Sequence, residues 1–248
     1  MTGKNSSFSL ISLLPNLVTL TSLCIALSAI QMAIHGDFFK AVAFLLIAGF
    51  MDGIDGRLAR YLNSTSDFGA NLDSLIDFVN FGVAPGFIIY AWVNSYQDIL
   101  GLDWAMVLFF AVCASIRLAR FNSDINKSSG SKILDEYFFV GIPAPVGAAM
   151  STLPMVLTRE FGEGFYSDSY LVIFYVITIA LLMASKLPTI SIKNIPIKNN
   201  YRYLTLIIAS SIIIGLLVKP WLTLSTIGVT YGVSIPLVML LLYQKKII

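Results

Sequence analysis

Long apolar runs separated by short polar breaks recur along the whole chain. They fall at about 14–34, 38–61, 68–93, 103–122, 139–158, 168–187, 203–218 and 221–243. Runs of roughly 20 residues match the ~30 Å of bilayer hydrocarbon at about 1.5 Å per helical residue. The pattern therefore predicts an all-α, polytopic transmembrane bundle of about eight helices. The breaks carry turn and cap chemistry. His35, Gly36 and Asp37 end the first run. Asn63, Ser64, Thr65, Ser66 and Asp67 end the second, and Ser66 or Asp67 is placed to cap the third helix. Residues 123–136 are the most loop-like stretch, and Lys219-Pro220 parts the last two runs. A lysine followed by an apolar stretch at the N-terminus also fits a signal peptide. No small-residue cleavage site stands out, so the first helix is expected to be retained.

Composition agrees with a membrane protein. Hydrophobic residues make up 57% of the 248, charged residues only 12%, and the mean hydropathy is +0.82. Soluble domains are about a quarter charged. A net charge of +2 argues against a nucleic-acid partner. Cys24 and Cys113 lie in separate apolar runs and are expected to be buried thiols, without a disulfide or a metal pair. His35 is the only histidine, too little for a histidine zinc site or a histidine-dependent triad. Trp92, Trp104, Tyr166 and Tyr170, near run ends, read as interfacial belt residues. With the N-terminus inside and the runs alternating, all of the 16 lysines and arginines except Lys40, Arg159 and Lys219 fall on the inner side. That division predicts a cytoplasmic membrane protein of a prokaryote, with both termini facing the cytoplasm.

Within this apolar background the second and third runs hold Asp52, Asp55, Asp73 and Asp77. An ionised carboxylate in hydrocarbon persists only where something compensates it. Asp52 and Asp55 are three apart and Asp73 and Asp77 four apart, so each pair shares a helix face. The polar turn near 62–66 makes the two helices antiparallel neighbours. Asp55 and Asp73 then lie about 9 Å below that turn, and Asp52 and Asp77 about 14 Å. Two facing levels of carboxylates suit one or two hard cations with oxygen ligands. Gly53, Gly56, Ala59, Gly69 and Ala70 interleave them, which allows close helix packing or leaves room for a ligand. Arg57 and Arg60 are placed to meet a phosphate or diphosphate. The plainer alternative pairs the aspartates with Arg57, Arg60, Arg117 and Arg120 as structural ion pairs. The interleaved glycines are hard to explain that way, and intramembrane ionisable groups mark function.

The spacing Asp52-x-x-Asp55-Gly56-x-x-Ala59-Arg60, eight residues, then Gly69-x-x-x-Asp73-x-x-x-Asp77 resembles the signature of the CDP-alcohol phosphotransferases. The resemblance implies a membrane enzyme with a six-helix core, usually a homodimer, that moves a substituted phosphate from a CDP-linked donor to an alcohol and releases CMP. The core would be residues 1–190, with 191–248 as two additional helices. Weaker stretches look like the membrane-embedded branch whose acceptor is L-serine: Asp77 to Pro85, Arg117 to Asn122, Gly141 to Pro145 and Ser185 to Pro188. Asn80 departs from the serine expected there.

By this resemblance Asp52, Asp55, Asp73 and Asp77 would hold Mg2+ or Mn2+ in a two-metal site, and Asp77 would also act as general base. Asn16, Thr19, Gly56, Ala59, Arg60 and Gly69 would receive CDP-diacylglycerol, with Pro15-Asn16-x-x-Thr19 equally readable as a plain helix start. The carboxylate of serine needs a cation, for which Arg117, Arg120 and then Lys186 are the candidates. Arg117 and Arg120 also fit positive-inside topology and lipid headgroups. Two other readings stand beside this one: a different acceptor (glycerol phosphate, inositol phosphate or choline), and a divalent-cation transporter.

Overall fold

A computed structural model describes residues 13–96, 101–125, 138–190 and 201–244. Lys4, Lys127, Lys132, Lys193, Lys198, Lys245 and Lys246, and most of the 123–136 stretch, lie outside the described residues. The chain forms α1 (Leu14–Ile34), α2 (Phe38–Tyr61), α3 (Asp67–Phe78), a π-helical turn (Val79–Val83), α4 (Ala84–Asn94) and α5 (Leu102–Ile125). Then come β1 (Phe138–Val140), α6 (Ala144–Ser151), α7 (Leu153–Phe161), a 3-10 turn (Phe165–Ser167), α8 (Ser169–Ala184), β2 (Pro188–Ile190), α9 (Arg202–Val218) and α10 (Pro220–Gln244).

The architecture is the helical bundle that the apolar runs predict, a multi-pass membrane protein. Leu14–Ile34, Asp67–Asn94, Leu102–Ser123 and Pro220–Leu240 are long and apolar enough to cross a bilayer, and Ser169–Ala184 and Tyr203–Val218 are apolar but shorter. Helix α2 has the length, at 24 residues, but carries Lys40, Asp52, Asp55, Arg57 and Arg60. Its polarity belongs to the site it builds.

Helix α1 packs against α2 along a stripe of small residues. Pro15, Thr19, Ser22, Ala26, Ala29 and Ala33 recur at helical spacing and are buried, and Ala41, Val42, Leu45 and Ala48 meet them from α2. Small side chains let the two backbones approach closely, which substitutes for a hydrophobic drive that lipid does not supply. The opposite stripe of α1 faces outward, with Leu17, Leu20 and Leu27 exposed. Cys24 lies on that stripe and is exposed, contrary to the expected buried thiol; Cys113 is buried, and both are free. Trp92 also departs from expectation. It is buried at 2% exposure and stacks edge-on against Tyr96, because α4 is wrapped by its neighbours, so it is a core residue. Trp104 and Tyr170 are exposed.

Prolines set the irregularities. Pro85 has no N–H for the Phe81 carbonyl, and just before it the helix widens so that the Ala84 N–H reaches the Val79 carbonyl. The fifth apolar run is not one helix. It breaks at Thr152, two residues before Pro154. The Met150 carbonyl, four residues ahead of that proline, accepts instead from the Tyr175 hydroxyl at 2.9 Å.

A short ladder adds to the all-α expectation. β1 and β2 pair antiparallel, Phe138 with Ile190 and Val140 with Pro188. Gly141 follows β1 at φ +77°, and its N–H donates to the Leu187 carbonyl at 2.7 Å. A Cβ there would meet the Ser185 and Met183 carbonyl oxygens at 2.7 and 2.8 Å. From α5, the Arg120 guanidinium donates to the Met183, Ala184 and Ser185 carbonyls at 3.3, 3.0 and 2.9 Å. A cation at a helix C-terminus satisfies orphaned carbonyls and complements the dipole.

Gly141→Ala is expected to lower unfolding free energy by about 1–3 kcal/mol from backbone strain alone, with the carbonyl clash added to it. Thermal unfolding in detergent measures this, and an unchanged midpoint would contradict the clasp.

Candidate active site

The α2–α3 hairpin builds the site. Ser66 caps α3, its side chain accepting from the Gly69 N–H at 3.1 Å, and so sets where α3 begins relative to α2. One carboxylate oxygen each from Asp52, Asp55 and Asp73 then falls within 4.8 Å of the others. Asp77, one turn beyond Asp73 on α3, neighbours Asp52. Three of the expected ligands thus converge directly, and the fourth joins through Asp52.

Among the described residues no ion pair to these carboxylates is formed; the ion pair there is Lys40 with Asp37, at the other end of α2. The structural reading, in which arginines pair with the aspartates, is therefore not what the fold adopts. Two unit charges at 4.8 Å would repel by about 3.5 kcal/mol even at an effective dielectric of ~20. Asp55 is 3% exposed; its Oδ1 accepts from the Gly56 N–H, while its Oδ2 is buried without a partner. An all-oxygen donor set with an orphaned buried carboxylate oxygen fits a hard divalent cation.

Beside these carboxylates opens a cavity of about 450 Å³. Asn16, Thr19, Gly56, Ala59, Arg60 and Gly69 all line it, together with Asp55 and Asp73. A Cβ on Gly56 would meet nothing within 4 Å, so this glycine is not required by helix packing and opens into the space. Gly69 is different: a Cβ would stand 3.1 Å from Asn16 Oδ1 and 3.2 Å from Ser66 Oγ. Arg60 anchors itself by donating from Nε to the Gly56 carbonyl at 3.0 Å. Arg57 is exposed and does not line the cavity.

The residues expected to meet the acceptor are arranged differently. Arg117 is 8% exposed, donates to the Ile142 carbonyl at 3.3 Å and lies over the Phe121 ring. Arg120 clasps the end of α8, as described above. Lys186 is exposed just past that end. None of the three lines the cavity beside the aspartates.

Several contacts within the site lay beyond sequence reasoning. Ser64, Thr65 and Ser66 line the cavity rather than merely turning the chain. Asn80 donates to Asp52 Oδ1 at 3.3 Å and to Ser22 Oγ at 3.0 Å. The Thr19 hydroxyl, which donates to the Pro15 carbonyl at 3.0 Å, lies beside Asp55. Asn80, noted above only as a departure from the expected serine, follows Asp77 by three residues and is polar within an apolar run. An apolar cavity of about 530 Å³ begins at Gly49 and Phe81, one helical turn deeper than Asp52 and Asp77, and extends to Leu153 and Leu224.

The chain belongs to the CDP-alcohol phosphatidyltransferase family, whose model matches residues 12–185. A second model, CDP-alcohol phosphatidyltransferase 2, matches residues 200–236. Among individual relatives, the chain is 33% identical over 226 residues to the CDP-diacylglycerol–serine O-phosphatidyltransferase of Mycobacterium tuberculosis, covering 91% of this chain and 78% of that one. It is 36% identical over 177 residues to the enzyme of the same name in Helicobacter pylori, covering 71% and 70%. The Methanocaldococcus jannaschii relative of that name is 35% identical over 133 residues, covering 54% and 55%.

Gly56→Leu is expected to keep or raise the thermal midpoint, since glycine is a poor helix former by up to about 1 kcal/mol. It should at the same time abolish binding of a CDP-linked ligand by filling the cavity. Calorimetric titration beside a melting curve separates the two effects.

Proposed function

We propose that this protein transfers the phosphatidyl group of CDP-diacylglycerol to the hydroxyl of L-serine and releases CMP. The observation that carries this reading is the convergence of Asp52, Asp55 and Asp73 at the edge of one cavity lined by all six residues expected to receive the donor. The names of the curated relatives support serine as the acceptor. The transporter reading leaves the space above Gly56 without an occupant.

In this proposal Asp52, Asp55, Asp73 and Asp77 hold Mg2+ or Mn2+, as one ion or a pair. When bound, the metal supplies charge stabilisation for the donor diphosphate and the departing CMP. Arg60, tethered at its Nε, turns the rest of its guanidinium to a donor phosphate. Gly56, Ala59 and Gly69 let the nucleotide lie against the backbone, with Asn16 and Thr19 closing the α1 side. Asp77 takes the proton from the serine hydroxyl as its oxygen bonds to the phosphatidyl phosphorus and the bond to CMP breaks. Lys186, Arg117 and Arg120 supply positive charge for the serine carboxylate, Lys186 foremost because its ammonium is exposed. The apolar cavity below Gly49 and Phe81 suits a donor acyl chain.

Residues 1–190 would be the catalytic core and 191–248 an addition, in a homodimer. The lysine and arginine distribution supports a prokaryotic cytoplasmic membrane, with the site opening to the cytoplasm.

Purified protein given CDP-diacylglycerol and labelled serine is expected to form labelled lipid and CMP only with divalent metal present. Absence of CMP release with serine, alongside release with another alcohol, would replace the acceptor. Asp77→Asn should reduce turnover by roughly 10²-fold or more. Lys186→Ala should raise KM for serine and leave kcat close to wild type.

A further inference from the structure

Asn80 is fully buried, and its amide is used unevenly. Nδ2 donates in two directions, to Ser22 Oγ at 3.0 Å and to Asp52 Oδ1 at 3.3 Å. Oδ1 is buried and has no partner. Leaving a buried amide oxygen unpaired is unfavourable, and an aliphatic side chain of similar volume would avoid it. Turning the amide over would set Oδ1 against the Asp52 carboxylate oxygen and against the lone pairs of Ser22 Oγ. The observed arrangement keeps a donor on Asp52 and leaves the acceptor unsatisfied.

Ser22 is itself committed. Its hydroxyl proton goes to the Thr19 carbonyl at 2.7 Å, which leaves its lone pairs to accept from Asn80. Ser22 and Thr19 are one turn apart on the buried stripe of α1, Thr19 beside Asp55 and Ser22 behind Asn80. The π-helical turn that contains Asn80 starts two residues after Asp77, and such turns concentrate at functional sites.

We infer that Asn80 is a positioning residue: held by Ser22 of α1, it pins Oδ1 of Asp52 and so orients that carboxylate toward the cation shared with Asp55 and Asp73. The inference rests on the metal site proposed above. Partners behind a metal ligand act on affinity by fixing the ligand's direction, and their loss typically weakens binding about 10–100-fold.

The full chain in detergent, titrated with Mn2+ and followed by the resonance signal of free Mn2+, tests this without turnover. Thermal unfolding of the metal-free protein runs in parallel. Asn80→Leu should raise the Mn2+ dissociation constant by about 10–100-fold with the metal-free midpoint unchanged or higher. Ser22→Ala should produce a smaller rise, and should add nothing in the Asn80→Leu background, because it acts through Asn80. An Asn80→Leu protein that binds Mn2+ as tightly as wild type, with a lower midpoint, would make Asn80 a packing residue and overturn the inference. Additive effects of the two substitutions would overturn the relay. If Asn80→Leu yields no folded protein, Ser22→Ala decides alone: a raised constant supports the inference and an unchanged one overturns it. Wild-type protein that binds no Mn2+ would remove the metal site itself, a different failure from a variant that binds like wild type.

Discussion

Carboxylates crowded within 4.8 Å of one another, with no ion pair to them among the described residues, set the terms for the surrounding bundle. Their repulsion would drive α2 and α3 apart unless other contacts hold the hairpin closed. The Ser66 cap, the Asn80 amide and the packing of α1 on α2 all act against that repulsion. The bundle holds carboxylate oxygens of α2 and α3 side by side, the donor set that a hard divalent cation takes.

Helix α1 has a larger part than its apolar sequence suggests. Its buried stripe is alanine toward one end and Thr19 and Ser22 toward the other, with half-buried Asn16 beside them. The alanine half brings the backbones close. The polar half then reaches the carboxylates of α2 at a distance that larger residues would not allow. Close packing and site chemistry are two consequences of one interface.

The second pair of arginines shows how charge near a site can serve architecture. Arg117 and Arg120 lie in the C-terminal part of α5, one turn apart. Arg120 gathers three carbonyls at the end of α8, and Gly141 fits beneath because it lacks a Cβ. This clasp joins α5, β1 and the α8 terminus, and it leaves Lys186 exposed beside them.

Much of this was legible in the sequence. Apolar run length set the helix boundaries to within a few residues, because a bilayer permits little else. The 3- and 4-residue spacings of the aspartates put them on shared faces, and the turn at 62–66 brought those faces together. What pattern could not supply was anything that depends on a partner distant in the chain. The outward face of Cys24, the burial of Trp92 and the break at Thr152 followed from neighbours, as did the hydrogen bonds from Ser22 through Asn80 to Asp52. In a membrane helix both faces are apolar, so hydropathy cannot tell the lipid side from the packed side. The sequence by itself determined which chemistry the chain carries, since spacing along one helix is local geometry. Only the tertiary structure decided how each carboxylate is held, because that depends on which polar atoms the folded bundle brings within about 3 Å.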